Sequence, residues 1–180
     1  SKKIAKEIIK INKNTFLNTQ INAANNGFHD INKYHSLNSI IINENELRQE
    51  LRDKVSDIKI LGKLLVRKKN IQNLIITRGS NGALLINKNN KIFSCPGFAL
   101  KSIDKVGAGD AMLSIASLGL KLRLDPELIL FTSAIAALIS VESIGNKEHV
   151  TYEKLDRILE YMLKWKKFLL QGEQATLALD

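Results

Sequence analysis

The sequence predicts an α/β domain, a three-layer α/β/α sandwich with a mostly parallel sheet between two layers of helices. Two observations carry this. Short apolar runs such as Ile40-Ile41-Ile42 and Leu74-Ile75-Ile76 are too brief for helices and read as strands buried on both faces. Between them, apolar residues recur at helical spacing among polar ones, with no internal repeat or low-complexity stretch to interrupt the alternation. The 180 residues, 44% apolar and 25% charged, suffice for one core without a disulfide or structural metal.

Taken in order, Ile4, Ile8, Ile9 and Ile11 predict an amphipathic helix over residues 3–11. Residues 15–22 read as a short strand with polar groups emerging at its C-terminal end, followed by an Asn25-Asn26-Gly27 turn and a helical turn near 31–36. Ser39 to Asn43 reads as a buried parallel strand. A helix follows, with Asn43 able to cap it and Glu46 at the capping-box distance. The helical pattern from Leu47 to Lys69 is interrupted near Val55-Ser56-Asp57, which divides it into two helices. Asn73 to Thr77 and Ala83 to Asn87 are strands around a turn at Arg78 to Gly82, and Lys91 to Cys95 pairs back as a hairpin. A polar-tipped segment to Asp104 and a glycine-rich turn then lead into a helix from Asp110 to about Leu122. Asp125 and Pro126 are a helix cap and first helical residue, opening a helix that runs to about Val141. A last helix spans about 152–170.

The formal net charge of +9 raises nucleic acid as a partner, and the distribution of charge argues against it. Residues 1–70 hold 14 Lys/Arg against 7 Asp/Glu, and residues 71–180 hold 13 against 11. The excess is N-terminal, without the interleaved aromatics that stack on bases, and reads as a solvated basic surface. The single cysteine, Cys95, excludes an intramolecular disulfide and a cysteine metal cage, and reads as a small buried apolar residue. No run approaches the ~18–20 apolar residues of a membrane span, so a cytoplasmic location is expected.

The segment most informative about chemistry is Asp104-Lys105-Val106-Gly107-Ala108-Gly109-Asp110-Ala111. Two glycines flanking a small residue let the backbone approach a ligand closely, and the amides of 107–110 lie at the positive end of the following helix. Such a turn is an anion cradle. It is neither a dinucleotide fingerprint, because Met112 stands where the third glycine belongs, nor a P-loop, because Gly-Lys-Ser/Thr is missing. A carboxylate at the mouth of an anion site repels its ligand unless it has a further task. Asp110 fits one that accepts a proton from a hydroxyl attacking a bound phosphoryl group; it fits equally a simple helix-capping aspartate.

The segment resembles the D-T-x-G-A-G-D-x-F signature of the PfkB/ribokinase family of carbohydrate kinases. Asn43-Glu44-Asn45-Glu46 resembles that family's N-x-x-E motif, and Thr77-Arg78-Gly79-Ser80-Asn81-Gly82 its T-x-G-x-x-G nucleotide loop. Ala136 to Gly145 is similar to the segment that closes over the adenine. The glycine segment is specific, N-x-x-E alone is weak, and their ordered combination is strong.

The resemblance implies a ribokinase-like, Rossmann-like fold and ATP-dependent phosphoryl transfer to a hydroxyl of a sugar or sugar phosphate. It assigns Asp110 as general base and the amides of Gly107, Ala108 and Gly109 as anion hole. It assigns Thr77, Gly79, Ser80, Gly82, Ile139, Gly145 and Asn146 to the nucleotide. Asn43 and Glu46 would organise Mg²⁺ through water, and Asp104 with carbonyls of 140–146 would resemble the family's monovalent-cation (K⁺) site. From the residues alone, Asn43 and Glu46 are equally a cap and capping box, and Asp104 a turn former.

Lys105 stands where threonine is usual in the family, and Met112-Leu113 replaces a common aromatic. Neither change touches the base or the cradle. Asn18-Thr19-Gln20, Asn22-Ala23, Asn25-Asn26 and Gly27-Phe28 resemble members related to the heptose-phosphate kinases, often fused to nucleotidyltransferases; a fused domain of that kind, or a homodimer, is the partner this implies. The likeness covers about residues 1–165, leaving 166–180 as a tail or linker. It answers to the nucleotide half of the family's domain, lacking the N-terminal part and the lid that carry most of the sugar contacts. The chain on its own is therefore expected to be weakly active. The competing expectation is a non-catalytic nucleotide-binding or regulatory module, whose mark would be loss of the base or the cradle.

Overall fold

The computed structural model describes residues 7, 15–18, 31, 34, 37–98, 107–141 and 150–160. The expected helix over 3–11 apart from residue 7, the turn at 25–27, Asp104 and Lys105, Gly145 and Asn146, and the last helix beyond 160 lie outside the described residues.

Five strands form one sheet in chain order: β1 (Phe16–Asn18), β2 (Ser39–Asn43), β3 (Asn73–Thr77), β4 (Ala83–Asn87) and β5 (Ile92–Cys95). β1, β2 and β3 run parallel, while β4 and β5 are antiparallel additions built by the two expected turns. The helices are α1 (Glu44–Leu51), α2 (Ile58–Lys69), α3 (Ala108–Lys121) and α4 (Pro126–Val141). Residues 152–160 are also helical.

The alternation of the pleat sorts the core into two layers. Ile40 and Ile42, Leu74 and Ile76, Leu84 and Ile86 pack with Leu47, Leu61 and Leu65 of α1 and α2. Ile41, Ile75 and Leu85 project from the other face and pack with Met112, Ala116, Ile129 and Leu130 of α3 and α4. Both faces of the sheet are covered, which explains why its strands read as unbroken apolar runs. Each such Ile or Leu taken out of water stabilises the fold by roughly 1.5–3 kcal/mol.

The helix starts follow local side-chain chemistry. The Asn45 amide donates to Asn43 Oδ1 at 2.9 Å and the Asn43 amide to Glu46 Oε2 at 2.9 Å, so the expected capping box is formed. α1 and α2 are separated because the Asp53 carboxylate accepts from the Val55 and Ser56 amides, each at 2.9 Å, and from the Ser56 hydroxyl at 2.7 Å. These bonds hold a turn where a helix would otherwise continue. Asp57 then caps α2, accepting from the Lys59 amide at 2.8 Å. Asp125 caps α4 through the amides of Glu127 and Leu128, with Pro126 as first helical residue.

The parallel strands all end at one edge of the sheet, at Asn18, Asn43 and Thr77. Thr77 pairs with Ala83 and Ala83 with Cys95, so β4 starts and β5 finishes at that same edge. In an open α/β sheet this carboxyl edge is where ligands bind.

Candidate active site

A cleft of about 1000 Å³ lies over that edge. Its floor is the ends of β1 to β3, with Asn18, Asn43 and Thr77. One side is the loop from Arg78 to Gly82, and the other is the N-terminal turn of α3 with Gly107, Ala108, Gly109 and Asp110. Of the residues assigned from sequence, those of the base, the cradle, the N-x-x-E pair and the T-x-G-x-x-G loop therefore surround one cavity, although they are scattered from 43 to 110 in the chain.

Gly107 has φ +89°, a left-handed conformation that an L side chain rarely adopts, and among the described residues no side chain caps α3. The first helical hydrogen bond runs from the Ala111 amide to the Gly107 carbonyl at 2.9 Å. The amides before it, at 108–110, thus have no acceptor within the helix and sit at its positive end.

Asp110 is exposed in the first turn of α3. It is joined to the rest of the cleft by one side chain: Asn18 Nδ2 donates to Asp110 Oδ1 at 3.0 Å, across 92 residues of sequence. Asn18 is a site residue that sequence reasoning took only as a subfamily marker. Its signal was its position, a polar residue closing a strand that ends at the ligand edge.

On the opposite side, the loop after β3 is drawn tight by its own backbone, the Arg78 amide donating to the Gly82 carbonyl at 2.8 Å and the Gly82 amide to the Gly79 carbonyl at 3.0 Å. Asn43 Nδ2 donates to the Thr77 carbonyl at 3.4 Å, joining the N-x-x-E segment to this loop. Arg78 and Glu44, which occupy variable positions of the two motifs, form an ion pair at 3.0 Å that the motif pattern gave no reason to expect.

Ile139, assigned to the nucleotide from sequence, is buried at 5% exposure and is not among the residues lining the cleft. The α4 residues that do line it are Ala134, Ala137 and Leu138, beside Phe98, whose ring packs edge-on against Phe131 at 5.5 Å. Together they make an apolar wall of the cleft. Cys95 is buried, and burial pushes its thiol up to about 11, which fits a packing residue and not a nucleophile.

The residues present can be tested against a magnesium ion. Among the described residues no group of three or more His, Cys, Asp or Glu gathers to hold a metal. Asn43 and Glu46 offer oxygen donors at the cleft, and their capping contacts already engage Asn43 Oδ1 and Glu46 Oε2. That set fits Mg²⁺ carried on phosphates with most of its water retained, as this ion prefers.

The profile of pfkB family carbohydrate kinases matches residues 2–150. The chain belongs to the pfkB family. It is 29% identical over 132 residues to the bifunctional protein HldE of Koribacter versatilis, covering 72% of this chain and 27% of that protein. It is 28% identical over 132 residues to a sugar kinase of Buchnera aphidicola subsp. Schizaphis graminum, covering 72% of this chain and 42% of the relative. Among solved structures, Arabidopsis thaliana ribokinase complexed with ribose and ATP superposes with a TM-score of 0.72 at 19% identity, over 88% of this chain and 51% of that one. Thermotoga maritima ribokinase gives 0.71 at 20% identity, over 87% and 52%. The fold is therefore ribokinase-like, and this pfkB chain spans about half the length of the structures that share it and less than half that of the curated relatives.

Proposed function

We propose that this chain carries the nucleotide-binding and catalytic part, over about residues 1–165, of a kinase that transfers the γ-phosphoryl group of ATP to a hydroxyl of a sugar or sugar phosphate. The observation that carries the reading is the carboxylate of Asp110 standing at the N-terminus of α3, over the carboxyl edge of the sheet. Family membership supports it.

In this mechanism the acceptor hydroxyl gives its proton to the Asp110 carboxylate as its oxygen forms a bond to the γ-phosphorus. The bond from that phosphorus to the β-bridging oxygen breaks in line, and ADP leaves with the electron pair. Charge on the transferring oxygens is met by the amides of Gly107, Ala108 and Gly109, fixed dipoles that need no reorganisation as the reaction proceeds. Thr77, Gly79, Ser80 and Gly82 face the nucleotide phosphates and ribose, and the wall of Ala134, Ala137 and Leu138 takes the base, in place of Ile139. Asn43 and Glu46 would hold Mg²⁺ through water, and the ion would supply neutralisation of phosphate charge. Asp104 with the segment to Gly145 and Asn146 remains the proposed K⁺ site and adenine loop. One relative, HldE of Koribacter versatilis, is bifunctional, which supports a fused second domain as partner. No helix of the described residues is long and apolar enough to cross a membrane, and we place the reaction in the cytoplasm.

The test is acceptor-dependent ADP formation by the full-length gene product with Mg-ATP and ribose, fructose 6-phosphate or a heptose 7-phosphate. ADP that appears only with an acceptor supports the kinase reading. Nucleotide binding with no acceptor-dependent ADP supports the non-catalytic module instead.

A further inference from the structure

We propose that Asn18 is a positioning residue for Asp110, its side-chain amide holding one carboxylate oxygen so that the other is presented as the proton acceptor. The inference rests on the reading of Asp110 as the base and adds to it a residue that none of the three motifs contains.

The contact is defined by chemistry as well as by distance. Asn18 Nδ2 lies 3.0 Å from Asp110 Oδ1. An ionised carboxylate only accepts, so the amide atom facing it is the nitrogen, and the bond is charge-assisted. Asp110 is exposed. An exposed aspartate samples several rotamers, and a general base is useful only in the one that meets the hydroxyl, so a single bond from a fixed donor restricts it where restriction matters.

The donor is fixed. Asn18 ends β1, which pairs with β2 in the register Phe16 to Ser39, Leu17 to Ile40 and Asn18 to Ile41. The Thr15 carbonyl accepts from the Asn38 amide at 3.1 Å, and Leu17 packs against the core cluster on the α1 and α2 face. A second observation shows that α3 makes room for this side chain. A Cβ placed on Gly109 would stand 3.2 Å from Asn18 Nδ2 and 3.7 Å from its Oδ1. Gly109 thus lies beside the Asn18 amide group, and a Cβ there would require that group to give by a few tenths of an ångström.

The experiment compares Asn18→Ala, Asn18→Asp, Asp110→Asn and Asn18→Ala/Asp110→Asn in the full-length gene product, with Mg-ATP and the three acceptors named above. Asn18→Ala is expected to lower kcat about ten- to a hundredfold, the scale of a misplaced catalytic group. The KM for ATP should stay within about twofold and the thermal midpoint nearly unchanged, which separates positioning from folding. Asn18→Asp keeps the shape but replaces the donor by a like charge, and is expected to be at least as damaging; a packing role would tolerate it. In the Asp110→Asn background, Asn18→Ala should cost less than about twofold further, because residues that act through one another are not additive. Loss of turnover in Asp110→Asn with unchanged turnover in Asn18→Ala or Asn18→Asp overturns the positioning role and leaves the base standing. Full turnover in Asp110→Asn, or no transfer by the unsubstituted protein to any acceptor, overturns the base reading and the Asn18 role with it.

Discussion

Arg78 Nε donates to Glu44 Oε2 at 3.0 Å, joining the loop after β3 to the first residue of α1 across the mouth of the cleft. Glu44 Oε1 also accepts from Arg48 Nη2 at 2.8 Å, one turn along the helix. Burial alone pushes the Glu44 carboxyl up, but the hydrogen bonds from Arg48 and Arg78 and the charges of both outweigh it. The result is a carboxyl held below its ordinary value of 4.5.

A group whose acidity is strengthened by folding stabilises the fold fully above its unfolded pKa and loses that contribution as pH falls through the lower, folded value. Glu44→Gln is therefore expected to be less stable than the unsubstituted protein at neutral pH, by about 0.5–1 kcal/mol for a partly exposed pair. The gap should narrow in acid as pH falls below the unfolded value and through the lower, folded one. Thermal melts at neutral pH and at pH about 3 check this, and a gap that stays constant across them contradicts the assignment.

One substitution separates the observed capping role of Asn43 and Glu46 from the Mg²⁺ role proposed for them. Glutamine at 46 can still reach back to the Asn43 amide, as in capping boxes with Gln in that place. Glu46→Gln should then leave the melting midpoint within about 0.5 kcal/mol of stability while raising the Mg²⁺ concentration needed for half-maximal transfer several-fold. Asn43→Ala should instead cost about 1 kcal/mol by uncapping α1. Unchanged Mg²⁺ dependence in Glu46→Gln would reduce the motif to a helix cap.

Gly109→Ala adds a methyl group 3.2 Å from Asn18 Nδ2. Alanine is the better helix former by about 0.8–1 kcal/mol, so stability should hold or rise while kcat falls. Steady-state kinetics beside a thermal melt make the comparison. Loss of both together would mean that the added methyl disrupts the fold and not the site.

Cys95, with its thiol pushed up to about 11 by burial, should react with iodoacetamide at pH about 8 at least tenfold more slowly than an unfolded control, because the thiolate is the reacting form. Reaction at the unfolded rate would show a thiol that is open and ionised.

Most of the fold was legible because its signals are local. The strands are short apolar runs, Asn43 and Asp125 cap their helices as expected, and the break between α1 and α2 lies where Asp53 gathers the Val55 and Ser56 amides. The proposed base and cradle stand in one contiguous motif, Gly107 to Asp110, which lines the cleft. What escaped is what the sheet brings together. Glu44 meets Arg78 because β2 and β3 are parallel neighbours ending in register at Asn43 and Thr77, and Asn18 meets Asp110 because β1 finishes beneath α3. Ile139 was assigned to the nucleotide by resemblance, and α4, apolar nearly all round, offers no periodicity that would have pointed to Ala137 and Leu138, which line the cleft.

The central claim is that Asp110 removes the proton from the acceptor hydroxyl, and Asp110→Asn tests it most directly in the full-length gene product. Acceptor-dependent turnover should fall by about 10²–10⁴-fold, the contribution of a positioned general base, while the affinity for Mg-ATP, read by calorimetry, stays within about twofold. Turnover equal to that of the unsubstituted protein would contradict it.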